Sequence, residues 1–535
     1  MSVTKSLSIA LITAVWLASA ACSDQSSTEP LATTEDEPRV LRRGNGGDPQ
    51  TLDPARAEDE HAFNILADIY EGLLVDGGDG TFLPGVAERW SISSDGKTYT
   101  FELRADARWS NFEPVIAAHF VTAFQRVLKP ETGSAYSFLL LPLKNAQAVL
   151  DGRLPATSLG VEAADDHTLL IHLDAPTPSM LAVLAMPIAL PVWPASLLDP
   201  LAFRAPEKFV GNGPFILDEW KPIDHISVRR NPAFHDADGV ALDRVEYYPI
   251  EDPMTELNRY RAGELDITAT VPSEQVKALQ ESHADELRIA PRLAVYYIAF
   301  DLSEPPFDQI ALRQALSMAV DRDVLVDVIG RGERPAYGFV PQGISGYSAA
   351  RYSWQSLPTP ERHDEARRLL ALASAESVTV QLTYDVGDIH EKIALAVSGM
   401  WRDVLGIDVK LDKREWQHFL ATREQRQEWQ MMRFAWTGDF NHPSTFTDLL
   451  VSNSPQNLPA YSNSDYDDML GTAATTLNNA DQMQLYAAAE LRMLEDYPLV
   501  PLYFYVSKHL VAPAILGFKP NPLDRHPSRF LSLQP

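Results

Sequence analysis

In the stretch RFAWTGDFNHPSTF, residues 433–446, Arg433 and Asp439 stand six residues apart among aromatic and glycine neighbours. One cation and one anion so placed either pair with each other across a turn or are each held for an opposite charge that arrives from elsewhere. Around them the chain offers little covalent chemistry. GNGPF at 211–215 has two glycines of a dinucleotide loop but lacks the third at the required offset. HDADG at 235–239 has two aspartates of a calcium loop with the glycine too early, and it reads as a turn before Val240. There is no GxSxG elbow, and HEKIAL, which starts at His390, lacks the second histidine of a zinc helix. The single cysteine, Cys22, lies near the N-terminus, so the rest of the chain has no thiol nucleophile. Paired carboxylates drawn from distant parts of the chain stay open as acid and base. No metal and no cofactor is expected.

The elements that must position these residues belong to a large globular chain. Its 535 residues exceed one conventional core, which predicts two or three domains. With 45% hydrophobic and 22% charged residues, neither disorder nor a membrane bundle fits. A formal charge of −28 argues against nucleic acid as partner and favours cationic ligands. Residues 1–21 read as a secretory signal peptide: Lys5, an apolar run from Leu7 to Leu17, then Ala18, Ser19, Ala20 and Ala21. Cys22 stands at the cleavage position, so the segment resembles a bacterial lipoprotein signal whose thiol takes a lipid anchor, although Ser19 replaces the usual leucine. Residues 22–40 then form a polar, acidic tether. The expected location is the periplasm or cell envelope; Ser23, after the lipidated position, points to the outer membrane where there are two. TYTFELR at 98–104 and HTLLIHL at 167–173 alternate as half-buried strands. ALRQALSMAVDRDVLVDVI at 311–329 has Leu312, Ala315, Leu316, Ala319 and Val320 on one helix face, with Asp308 as the expected N-cap. The apolar run 182–193 contains two prolines and reads as buried core, not a span.

Over nearly the whole chain, motifs then follow in an order that resembles the oligopeptide-binding proteins of bacterial ABC importers, extracytoplasmic solute-binding receptors of family 5. They are DPQTLDP at 48, YEGLLV at 70, LPGVAERW at 83, VGNGPFIL at 210, YRAGELDI at 260, PPFDQIALRQALSMAVDRD at 305, HEKIALAVSGMWRDVLGIDVKL at 390, the stretch from Arg433, and LVPLYFYV at 499. The resemblance implies an α/β, two-lobed periplasmic-binding-protein fold with a hinge and an additional inserted domain, three domains in all. Lobe I would comprise 41–70, 194–293 and 506–535; inserted domain II would run over 71–193, and lobe III over 294–505. It further implies a monomer that binds short free peptides, of about 2–5 residues, between the lobes and delivers them to a permease and ATPase.

Residue by residue, the resemblance gives Asp439 the ligand's ammonium, Arg433 the carboxylate of shorter peptides and His390 that of longer ones, two cations at different depths. Ala435 to Thr437 and the backbone around Glu58 would bond the extended ligand strand-fashion. Tyr136 would pack on the ligand backbone; Trp416, Trp436, Tyr297 and Arg423 would line side-chain pockets. Some relatives carry a disulfide at positions matching Ala294 and Thr437, absent here. A lysine that some offer to the carboxylate is Gly330, beside Arg331. Alternatives are a receptor of the same fold for a cell-wall peptide, dipeptide, nickel or sugar, an exported peptidase-like hydrolase on that fold, or a surface adhesin or holdase.

Overall fold

Three sheets organise the chain; apolar residues alternate along the strands of the second, whereas the long strands of the third are buried on both faces. The computed structural model describes residues 38–77, 81–199, 201–373, 375 and 378–534. The signal-like segment, Cys22 and the tether as far as residue 37 lie outside them. The first sheet runs Val40–Gly44, Arg244–Tyr248, His225–Arg230, Phe215–Lys221, with its first pair parallel. The second is antiparallel: Ala87–Ile92, Thr98–Leu103, Thr168–His172, Val161–Asp165. Both sequence-predicted strands sit side by side there, Phe101 opposite Leu169, and Tyr99, Phe101 and Leu103 are buried as a period of two requires. The third sheet has six strands, in the order Arg334–Pro335, Leu499–Leu510, Leu287–Phe300, Met431–Thr437, Thr379–Asp385, Asp408–Arg414.

The apolar residues make two large cores. One fills the far lobe, from Leu293 to Tyr503. The other joins the first two sheets, so Val228 and Val245 share it with Phe101 and Phe120 from the inserted segment. Between the lobes run two long strands, Leu287–Phe300 and Leu499–Leu510. They pair antiparallel and shift register between Pro291 and Val295. Their ends at Leu287 and Leu510 lie beside Ile267 and Thr268, which tie back to the first sheet through Arg43. The result is a two-lobed molecule whose lobes share a pair of strands.

Some local expectations change. Residues 311–329 form two helices, Ile310–Ala319 and Arg322–Ile329. The break comes because Asp321 caps the second, its carboxylate accepting from the Val324 N–H at 3.2 Å. Arg322 turns into the core, donating to the Pro501 carbonyl at 2.8 Å. Asp308 caps nothing; the N-cap position is Gln309. The run 182–193 is buried, and among the described residues no helix is long and apolar enough to cross a membrane. In GNGPF the glycines serve close approach: a Cβ on Gly213 would meet the Ile69 carbonyl carbon at 2.5 Å. Asn212 between them bonds the Glu71 backbone in both directions.

Candidate functional site

The strand Met431–Thr437 pairs with Leu287–Phe300 along its whole length, from Met431 opposite Phe300 to Thr437 opposite Ala294. On its other side Thr379–Asp385 pairs only with Met431 and Met432. From Arg433 to Thr437 the strand therefore presents an edge without a ladder partner, and Ala435 and Thr437 are exposed on it. Ala294 and Thr437 are ladder partners.

After Thr437 the chain turns. The Gly438 N–H donates to the Leu293 carbonyl at 2.7 Å and the Asp439 N–H to the Thr445 hydroxyl at 3.1 Å. The Asp439 carboxylate accepts from the hydroxyls of Tyr136 and Thr445, and burial raises it above the usual carboxylate range although nearby Arg525 pulls the other way. Among the described residues it has no ion-pair partner. Burial, then the Asp439 charge, pushes the Tyr136 phenol up to about 12. Asp439, Tyr136, Trp436, Thr437 and the exposed Glu58 line one cavity of about 590 Å³. Trp436 is part-buried, and its indole Nε1 is buried without a hydrogen-bond partner.

Arg433 is not brought to Asp439. It forms an ion pair with Asp385 and lies 4.9 Å from the centre of the Phe419 ring, on which Trp416, 47% exposed, stacks at 5.9 Å. A structural Arg433–Asp439 pair is thereby excluded. His390 stacks on Tyr296 at 5.7 Å, with Nδ1 3.2 Å from its hydroxyl and Nε2 3.9 Å from Asp385. Burial, then Arg433, lowers His390 to about 4. It is a neutral imidazole near pH 7, which corrects the expectation of a second cation. Tyr297 is in the far-lobe core, packed on Phe339 and Phe434, because it faces the inner side of its strand. Arg423, part-buried in the last turn of the helix Trp416–Gln425, and Tyr297 do not line the cavity.

Sequence reasoning missed Asp385 and the C-terminal wall of the cavity. The first lies five residues before His390. The second lies in the basic, histidine-bearing run KPNPLDRHPSR at 519–529. There His509 and His526 place Nε2 at 2.8 and 3.1 Å from the same Asp524 oxygen. His509 Nδ1 also faces the Thr268 carbonyl at 2.8 Å, so both nitrogens of this ring meet acceptors and, in this arrangement, both carry hydrogen. With Asp524 the ring forms an imidazolium–carboxylate pair, and the Asp524 charge with its bond holds His509 above the ordinary histidine range against its burial.

Comparison with known proteins accords with this architecture. The family described as "Bacterial extracellular solute-binding proteins, family 5 Middle" matches residues 81–457. The periplasmic oligopeptide-binding protein OppA of Escherichia coli (strain K12) is 35% identical over 505 residues, 92% of each chain. The probable deoxycholate-binding periplasmic protein YgiS of the same organism is 35% identical over 522 residues, 96% of each. Among solved structures, the murein tripeptide binding protein MppA in its unliganded open form matches with a TM-score of 0.84 and 33% identity, over 93% of this chain and 98% of that one. The chain belongs to the bacterial extracellular solute-binding proteins of family 5, a family of binding proteins and not of enzymes.

Proposed function

We propose that this protein is the receptor of an ABC importer, that it takes up short free peptides by their charged ends and backbone, and that it delivers them to a membrane permease. The observation that carries the reading is the unpaired strand edge at Arg433–Thr437 ending beside an unpaired carboxylate. An extended peptide laid on that edge gains main-chain bonds that ignore its side chains. Its ammonium then meets Asp439; at an effective dielectric near 20, charges about 4 Å apart attract by about 4 kcal/mol before desolvation is counted. Glu58 and the free Trp436 indole N–H are further groups that gain a partner. A ligand about 2–5 residues long is in keeping with a cavity of about 590 Å³.

Arg433 serves the carboxylate of shorter ligands, which must share it with Asp385, and the neutral His390 contributes a hydrogen bond to longer ones. Trp416 and Arg423 border the side-chain space, with Tyr297 as the packing behind it. A lipid on Cys22 holds the receptor at a membrane facing away from the cytoplasm, where it acts as a monomer.

Two relatives at equal identity carry names that differ in ligand, oligopeptide and deoxycholate. Deoxycholate is a carboxylate without an ammonium, so the two readings separate cleanly. Titration with trialanine, with trialanine methylated at its central peptide nitrogen, and with deoxycholate tests them. Trialanine is expected to bind and the methyl group to cost about tenfold, the scale of one backbone hydrogen bond. Saturable deoxycholate binding without any trialanine binding would overturn the peptide reading.

A further inference from the structure

Resting on the peptide-receptor reading, we infer that Arg525 recognises a carboxylate set close to the ligand's ammonium, so that peptides beginning with an acidic residue are preferred. The cations lining the cavity are nearly all engaged. Arg292 is paired with Glu60, Lys508 with Glu333, and His509 with Asp524. Arg43 is buried, donates to the His526 carbonyl at 2.9 Å and lies over the Tyr247 ring.

Arg525 differs. Among the described residues its guanidinium has no carboxylate partner; its one hydrogen bond runs from Nη2 to the Asp439 backbone carbonyl at 3.1 Å. It is nevertheless held in place, 6.0 Å from the centre of the Phe63 ring, which itself lies 6.0 Å from the Tyr136 ring. Four of its five N–H donors are left for a ligand. Beside it stand Asp439 and Glu58, also without ion-pair partners among the described residues, and all three charges act on the Tyr136 phenol. One end of the cavity thus offers a place for a cation next to a place for an anion.

The peptide's own terminal carboxylate does not fill both. In an extended tripeptide it lies about 10 Å from the ammonium, at about 3.3 Å per residue. A carboxylate a few bonds from the ammonium does. Two sources have that chemistry: the side chain of a first Asp or Glu, and the α-carboxylate of a glutamate joined through its side chain.

The test is calorimetric titration at neutral pH and low salt with Gln-Ala-Ala, Glu-Ala-Ala and its γ-linked isomer, on the unaltered protein and on Arg525→Gln and Arg525→Lys. One of the two acids is expected to bind about tenfold tighter than the amide, and which one does so names the source. That ratio should fall to about one in Arg525→Gln and partly return in Arg525→Lys. Gln-Ala-Ala binding as tightly as both acids in the unaltered protein overturns the inference and leaves the peptide receptor standing. So does a preference that survives Arg525→Gln. Failure of all three peptides to bind overturns the receptor reading itself.

Discussion

In the cavity Asp439 carries a carboxylate held by two hydroxyls but in no ion pair among the described residues, and Trp436 carries a buried indole N–H with no acceptor. A buried donor left unpaired costs stability until something accepts from it. Trp436→Phe removes that donor and nothing bonded to it. Thermal unfolding of the free protein should change little, while tripeptide affinity falls about three- to tenfold, the scale of one hydrogen bond. Titration also depends on the Asp439 charge. Its pKa is raised by burial, so acidification protonates it earlier than an ordinary aspartate, and affinity for a free tripeptide should begin to fall above the ordinary aspartate range. An N-acetylated peptide should show no such loss. At this scale the sequence displayed Asp439 and Arg433 but not their partners. Asp385 is 48 residues from Arg433 and reaches it only because two strands lie parallel. The charge of His390 was equally hidden, since burial and a neighbouring guanidinium set it.

The edge strand explains why these residues face a ligand at all. Its unpaired segment begins at Arg433, where the neighbouring strand ends its pairing and Asp385 takes the guanidinium instead. Both side chains of that pair are mostly buried. Asp385→Ala would leave an uncompensated cation, with an expected cost of about 3 kcal/mol in denaturant unfolding, largely recovered when Arg433→Met is combined with Asp385→Leu. Strand alternation at Tyr99, Phe101 and Leu103 was legible because one face is buried and the other wet. The helical stretch 311–329 was legible as a face but not as two helices, since an aspartate after a helical run reads equally as surface charge or as a new N-cap. Asp321→Ala is expected to cost about 1 kcal/mol through the lost cap.

The two lobes are joined by strands, one of which carries His509, paired with Asp524 of the C-terminal segment. Around His509 stand Asp524, His526, the Thr268 carbonyl and Arg43. With its folded pKa raised, His509 contributes stability that is fully present below its unfolded value near 6.5 and is lost as pH rises through the folded value. Melting temperature should therefore fall as pH rises above about 6.5, and fall less in His509→Gln. Ordered motifs made a two-lobed fold legible, whereas the core shared by the first two sheets was not, because no periodicity records which sheets pack together. The proposed function turns on a peptide's ammonium as the handle and on Asp439 as its receptor. The most direct measurement is a thermodynamic cycle: titration of free and N-acetylated tripeptide against the unaltered protein and Asp439→Ala. Acetylation is expected to cost at least about tenfold with Asp439 present and almost nothing without it. Equal losses on acetylation in both proteins would contradict it.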